Sequence, residues 1–292
     1  MTTANAREDT KMKIETIILA ATIGISIPVH AADVLFVDNE IADTSWQVLI
    51  ESGGHTYTNF DTATYSLGLG NQASRDYVNG FDVIVVSGSN AAFNAVRNSG
   101  QTWHAQPTPI LTIAPYLGSG QFTNNSWMWF TAQGDATSNP GNAMDVTDSS
   151  DPIWTGVTLL SGDTVAPDLY NGNGPRLARN NGGGGALKPG VTAIANRSGT
   201  PADHVIMYAE PGAIAPGGEA SYFMTGMGGS SGEPVPFTAD GETVFLNAIG
   251  VLSGELGAGG GASAFNIWAA TAGTGVPDDS ESVDSDGGGQ NN

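Results

Sequence analysis

Two pairs of side chains have types and spacings that could do chemistry. Asp38 and Glu40 are carboxylates two residues apart, directly after the apolar run Asp33–Val37. Such a pair can bind a hard cation or serve as acid and base. It can equally cap the helix that follows. Ser87 and Ser89 come after a second apolar run, FDVIVV at 81–86. A serine nucleophile needs a histidine base within hydrogen-bond reach, and His55, His104 and His204 are the candidates. No G-x-S-x-G elbow is present, and turn serines commonly bond loop backbone or cap a helix, here one beginning at Asn90. The aromatic residues Trp103, Tyr116, Trp127, Trp129, Trp154 and Tyr170 lie in or near loops. An aromatic face suits the C–H face of a sugar, so Asn90, Tyr116, Trp127 and Trp129 are ligand-binding candidates. The same side chains would serve equally as core packing.

Composition narrows the chemistry. The 292 residues contain no cysteine, so disulfides, thiolate metal sites and a cysteine nucleophile are excluded. The net charge of −20 repels phosphate backbones and anionic lipid, which argues against nucleic-acid and membrane-surface partners. Charged residues make up only 13% and glycines number 41, a pattern of many turns on a weakly charged surface.

The amino terminus follows the grammar of a secretory leader. Lys11 and Lys13 precede the apolar stretch Ile14–Val29, and Val29-His30-Ala31 offers small residues at the −3 and −1 positions. The stretch is shorter than the ~20 residues that span a bilayer. Residues 1–31 are therefore expected to be removed, with Met12 a plausible true start, and the product to be periplasmic or extracellular. The remaining chain carries 6 basic and 26 acidic residues, and Lys188 is its one lysine.

Elements that would position these residues alternate along residues 32–254. Strands are expected at Asp33–Val37, His55–Phe60, Phe81–Val86 and Pro109–Ala114, with helices at Thr44–Ser52, Ala73–Asn79 and Asn90–Asn98. Continuous apolar strands separated by helices imply parallel βαβ units, hence a flavodoxin-like, doubly wound, mostly parallel sheet with helices on both faces. Ligands of such sheets sit outside the carboxyl ends of the strands, where Asp38, Glu40, Ser87, Ser89 and Tyr116 fall. Ser126–Thr131 (SWMWFT) reads as an edge strand, and 132–190 as a long Gly-, Asn- and Pro-rich loop. Further strands are expected at Val191–Asn196, Val205–Ala209 and Ser221–Thr225, with a closing helix at Gly241–Gly254. Residues 255–292 read as a Gly/Ala-rich linker and acidic tail.

Several segments taken in order resemble the trehalose-utilisation (ThuA-like) branch of the class I glutamine amidotransferase-like superfamily. They are DVLFV at 33–37, HTYT at 55–58, FDVIVVSGSN at 81–90, DPIWTGV at 151–157, and ASYFMTGMGG at 220–229 followed by ETVFLNAIGVLSG. In that superfamily a nucleophilic cysteine follows the fourth strand. PILTIAPYL aligns there and puts Ala114 in its place. Gly228-Gly229 stands where ThuA-like proteins usually carry a histidine. The resemblance thus implies the fold without the family's glutaminase chemistry. Near the end, VDSDGGG resembles the start of a thrombospondin type 3-like calcium repeat, with Asp284 and Asp286 as ligands for Ca²⁺; a solvated acidic tail is the plainer reading.

Three functions are consistent with this sequence. The leading expectation is an exported carbohydrate-related binding or accessory domain with an extracellular glycan as partner. The second is a hydrolase using Ser87 or Ser89 with a histidine, or a metal at Asp38 and Glu40. The third is a self-associating surface or structural protein, in which SWMWFT pairs as an exposed edge.

Overall fold

A computed structural model describes residues 31–37, 44–87, 95–96, 98–113, 129–131, 143–171, 186–224 and 237–256, with the backbone of 135–138 and 176–179. Among the described residues no helix is long and apolar enough to cross a membrane.

Four short segments with continuous apolar character build the centre. β1 (Asp33–Val37), β3 (Val83–Val86), β4 (Ile110–Thr112) and β11 (Ser221–Met224) are buried on both faces, apart from the exposed Asp33. With β2 (Thr56–Asn59) they run parallel in the order β2-β1-β3-β4-β11. The sheet continues antiparallel through β10 (Thr200–Ala209), β9 (Val191–Arg197), β6 (Met144–Val146) and β7 (Val165–Ala166). β5 (Asp135–Ser138) and β8 (Arg176–Arg179) pair with each other, and β8 also pairs with β10. The chain is therefore an α/β fold on one mixed sheet.

Period-two alternation sends successive side chains to opposite faces and creates two packed layers. Val34, Phe36, Val83, Val85 and Leu111 meet α1 (Ser45–Ser52) and α4 (Ala239–Leu252) through Trp46, Ile50, Val244, Phe245 and Ala248. Leu35, Val37, Ile84, Val86 and Ile110 meet α2 (Gln72–Val78) and α3 (Gly100–His104) through Val78 and Trp103. A third cluster of Trp129, Phe130, Met207 and Phe223 covers the antiparallel part.

Several expectations change here. Helical structure does not close at Asn98: α3 runs from Gly100 to His104, and its Trp103 indole donates to the Leu67 carbonyl at 2.9 Å. Residues 132–190 are not one long loop, because β5, β6, β7, β8 and a 3-10 turn at Pro152–Trp154 lie within them. Their strands are two to four residues long, too short to leave a readable alternation. Phe130 forms an isolated bridge with Leu187 and is fully buried, so the described part of SWMWFT is covered and presents no free edge. The domain also runs past residue 254: Leu256 donates its amide to Gly250 and packs against the first core layer.

Two glycines mark close approaches of backbone. A Cβ on Gly241, inside the first turn of α4, would strike the Leu169 carbonyl, and one on Gly218 would strike the His104 carbonyl. Gly→Ala in a helix ordinarily gains about 1 kcal/mol. Here overpacking against rigid backbone reverses the sign. Gly241→Ala is expected to lower the unfolding free energy by about 1–3 kcal/mol, read from the urea midpoint at unchanged m-value.

Candidate functional site

The strand order reverses direction between β1 and β3, and the crevice outside their carboxyl ends is where open parallel sheets bind ligands. The described residues that end β2, β3 and β4 are uncharged, and the exposed Asp61 follows β2 by two residues. Asn59 ends β2 beside Phe36 of β1. Ser87 follows β3, is buried, and extends the ladder by donating its amide to the Val37 carbonyl at 3.2 Å. Thr112 ends β4, whose ladder continues as the Ile113 amide donates to the Val86 carbonyl at 3.0 Å. The Asn59 Oδ1 and Thr112 Oγ1 atoms are buried and have no hydrogen-bond partner among the described residues. By alternation Asn59 and Ser87 face the α1 layer and Thr112 the opposite one. Neither Asn59 nor Thr112 stood out in the sequence, because a single polar residue at a strand end resembles any turn residue.

Other candidates fall outside the described residues: Asp38, Glu40, Ser89, Asn90, Ala114, Tyr116, Trp127, Gly228, Gly229, Asp284 and Asp286. Among the described residues, no group of three or more metal-binding side chains converges.

None of the three histidines serves Ser87 as a base. His55 immediately precedes β2 at the amino edge of the parallel strands. Register puts it opposite Ala32, roughly 20 Å along the strand direction from Ser87. His104 ends α3 beside Gly218, again near the amino edge. Its ring packs edge-on to Trp129 at a centroid distance of 6.1 Å. His204 lies on the carboxyl side, but β4 and β11 intervene between its strand β10 and β3, a separation of roughly 14 Å. Its Nδ1 is already held by Asn196 Oδ1 at 2.6 Å, and its ring stacks on Phe130. The pairing of Ser87 with a histidine is thereby corrected: His55 and His104 lie toward the opposite edge, and His204 is held by Asn196 and Phe130.

Trp129 is likewise corrected as a sugar-stacking residue. It is fully buried against Phe223, and Trp103, Trp154 and Tyr170 are also buried. An indole with no exposed face packs protein rather than ligand.

The segment DPIWTGV does structural work. Asp151 accepts the Ile153 amide at 2.9 Å and the Tyr222 hydroxyl at 2.8 Å. Burial raises its carboxyl above the usual range, although both hydrogen bonds pull the other way. Asn247 of α4 donates to the carbonyls of Ile153 and Thr155 at 2.9 and 2.7 Å. The motif therefore ties α4 to β11.

No family model matches the sequence, and no curated protein matches it. Solved structures give a distant likeness. A cytoplasmic protein from Salmonella typhimurium aligns over 74% of this chain and 97% of its own, at 14% identity and a TM-score of 0.46. A ThuA-like protein from Bacteroides uniformis aligns over 75% and 90%, at 11% identity and 0.44. The carbohydrate deacetylase Agd3 aligns over 67% of this chain and 29% of its own, at 13% identity and 0.34. Likeness at these scores does not extend to a site or a ligand.

The buried histidines give a pH dependence. Burial foremost, and the nearby Lys188 charge, push His104 down to about 3. Between pH 6.5 and about 3 the unfolded chain binds this proton and the folded chain does not, so stability falls as pH falls through that window. The slope is about 1.4 kcal/mol per pH unit for one such group. His104→Leu is expected to flatten this acid limb, measured by urea titrations at pH 6.5, 5.5 and 4.5.

Proposed function

We propose that this chain is an exported ThuA-like domain that binds a neutral, hydroxyl-rich carbohydrate at the carboxyl edge of its parallel strands. The observation that carries the reading is the uncharged polar pair Asn59 and Ser87 on one face of that edge, with Asn59 Oδ1 buried and without a hydrogen-bond partner among the described residues; Thr112 Oγ1, in the same condition, lies on the other face of the sheet. A buried polar atom left unpaired costs about 1–3 kcal/mol, which a ligand hydroxyl can recover. A charged ligand would call for a charged counterpart, and the strand-end residues Asn59, Ser87 and Thr112 supply none. The parallel order β2-β1-β3-β4-β11, with helices packed on both faces, supports a flavodoxin-like, doubly wound reading of this half.

The absence of cysteine from the whole chain supports binding rather than amidotransferase catalysis. Ser87 has no histidine within reach among the described residues, which removes one arrangement a displaced hydrolase would use. Export rests on the leader grammar of residues 11–31.

A glycan array probed with the processed protein is expected to retain it on neutral polysaccharides. Asn59→Leu should weaken retention by about tenfold, the loss of one buried hydrogen bond to ligand. Background-level retention across the array would sink this reading. So would turnover of esters or glycosides that disappears in Ser89→Ala.

A further inference from the structure

The opposite, amino edge of the sheet holds a pocket of about 240 Å³ between the lead-in to β2 and the end of α4. His55 and Glu255 line it, with Leu246 and Leu256 as apolar walls. His55 keeps 7% of its surface exposed and the Glu255 side chain 9%. The His55 Nδ1 and Glu255 Oε1 atoms face each other at 3.7 Å, within ion-pair range but too far for a hydrogen bond, and neither has a hydrogen-bond partner among the described residues. Two polar atoms of this kind, nine-tenths buried and facing one cavity, are costly unless something completes them.

The chemistry of the pair selects what completes it. Burial holds the His55 imidazole below its usual range, and the Glu255 charge offsets this only in part. A neutral imidazole can present a nitrogen lone pair, and the carboxylate presents only acceptors. The pocket thus offers two acceptors, one of them charged, between aliphatic walls. Its volume far exceeds that of a single ion, and no third metal-binding side chain joins the pair among the described residues. Gly53 lets its backbone approach this wall closely: a Cβ there would lie 2.6 Å from Leu246 Cδ2 and 3.2 Å from His55 Cδ2. The net charge of −20 adds a long-range pull on cations.

We infer that this pocket binds a primary alkylammonium group, with Glu255 and His55 Nδ1 accepting its N–H donors and Leu246 and Leu256 covering its alkyl stem. Residues 257–292 contain no lysine or arginine, so the tail cannot supply the charge. Two sources share the chemistry. One is a free alkylamine. The other is the chain's own terminus: cleavage after Ala31 would leave an ammonium on Ala32, whose carbonyl accepts the amide of Thr56, next to His55.

The test is a titration of butylammonium chloride followed by the His55 ring resonances in NMR. It uses two forms of the protein, one beginning at Ala32 and one retaining residues 29–31. In the longer form butylammonium is expected to shift the ring signals saturably, butanol to leave them unmoved, and Glu255→Gln to weaken binding by about tenfold, as loss of a charge-assisted hydrogen bond requires. If the chain's own terminus is the source, the Ala32 form shows a Glu255→Gln-sensitive His55 shift before any amine is added, and it resists butylammonium. The inference is overturned if neither form gives a Glu255-dependent response, if butanol acts as butylammonium does, or if Zn²⁺ binds at His55 without competition from butylammonium. Unchanged urea midpoints for Glu255→Gln separate a lost contact from a lost fold.

Discussion

Burial of β1, β3, β4 and β11 on both faces is the constraint on which the rest of this structure depends. A strand covered on one side can alternate apolar and polar residues, but VIVV and SYFM cannot. Each such strand demands a layer above and a layer below. The chain supplies them with α1 and α4 on one side and α2 and α3 on the other. Polar chemistry is thereby pushed off the faces and onto the two edges, where the strands begin and end. The candidate carbohydrate site and the alkylammonium pocket lie at opposite edges for this one reason.

The same burial decides the fate of the ionisable groups. His55, His104 and His204 are all shifted down by desolvation before any other influence acts. Asp151 is shifted up by the same cause, and hydrogen bonds from Ile153 and Tyr222 compete with it. Desolvation outweighs the local partners in each case, so these groups favour their neutral forms. His104 and His204 therefore serve packing and hydrogen bonding rather than carrying charge.

Much of the parallel half was legible in the sequence because its signals are long and redundant. DVLFV, FDVIVV and PILTIA are continuous apolar runs, and TSWQVLIES and GETVFLNAIGVLSG have helical spacing that ends in glycine. The antiparallel extension was not legible. β5, β6, β7 and β8 are two to four residues long and set among glycine and asparagine, so their pairing is fixed by neighbours distant in sequence. The candidate sites were legible only in outline. Chain order indicates which residues follow a strand, which is how Ser87 stood out. It does not indicate that Trp129 is covered by Phe223, that His204 is held by Asn196, or that Glu255 folds back toward His55 across 200 residues of chain.

The last two described residues show how a domain boundary can carry function. Residues 255–292 read as linker and tail, yet Glu255 and Leu256 continue the fold. Gly254 adopts a left-handed φ of +82° that turns the chain back, and the Leu256 amide then caps the Gly250 carbonyl. That turn carries the Glu255 carboxylate to His55 and lays the Leu256 side chain close against Gly250, where a Cβ would lie 3.1 Å from Leu256 Cγ. The helix C-cap and the polar pair are therefore one construction. Replacing Gly254 with a β-branched residue would strain the turn, and the pocket would lose its carboxylate before the core lost a single layer.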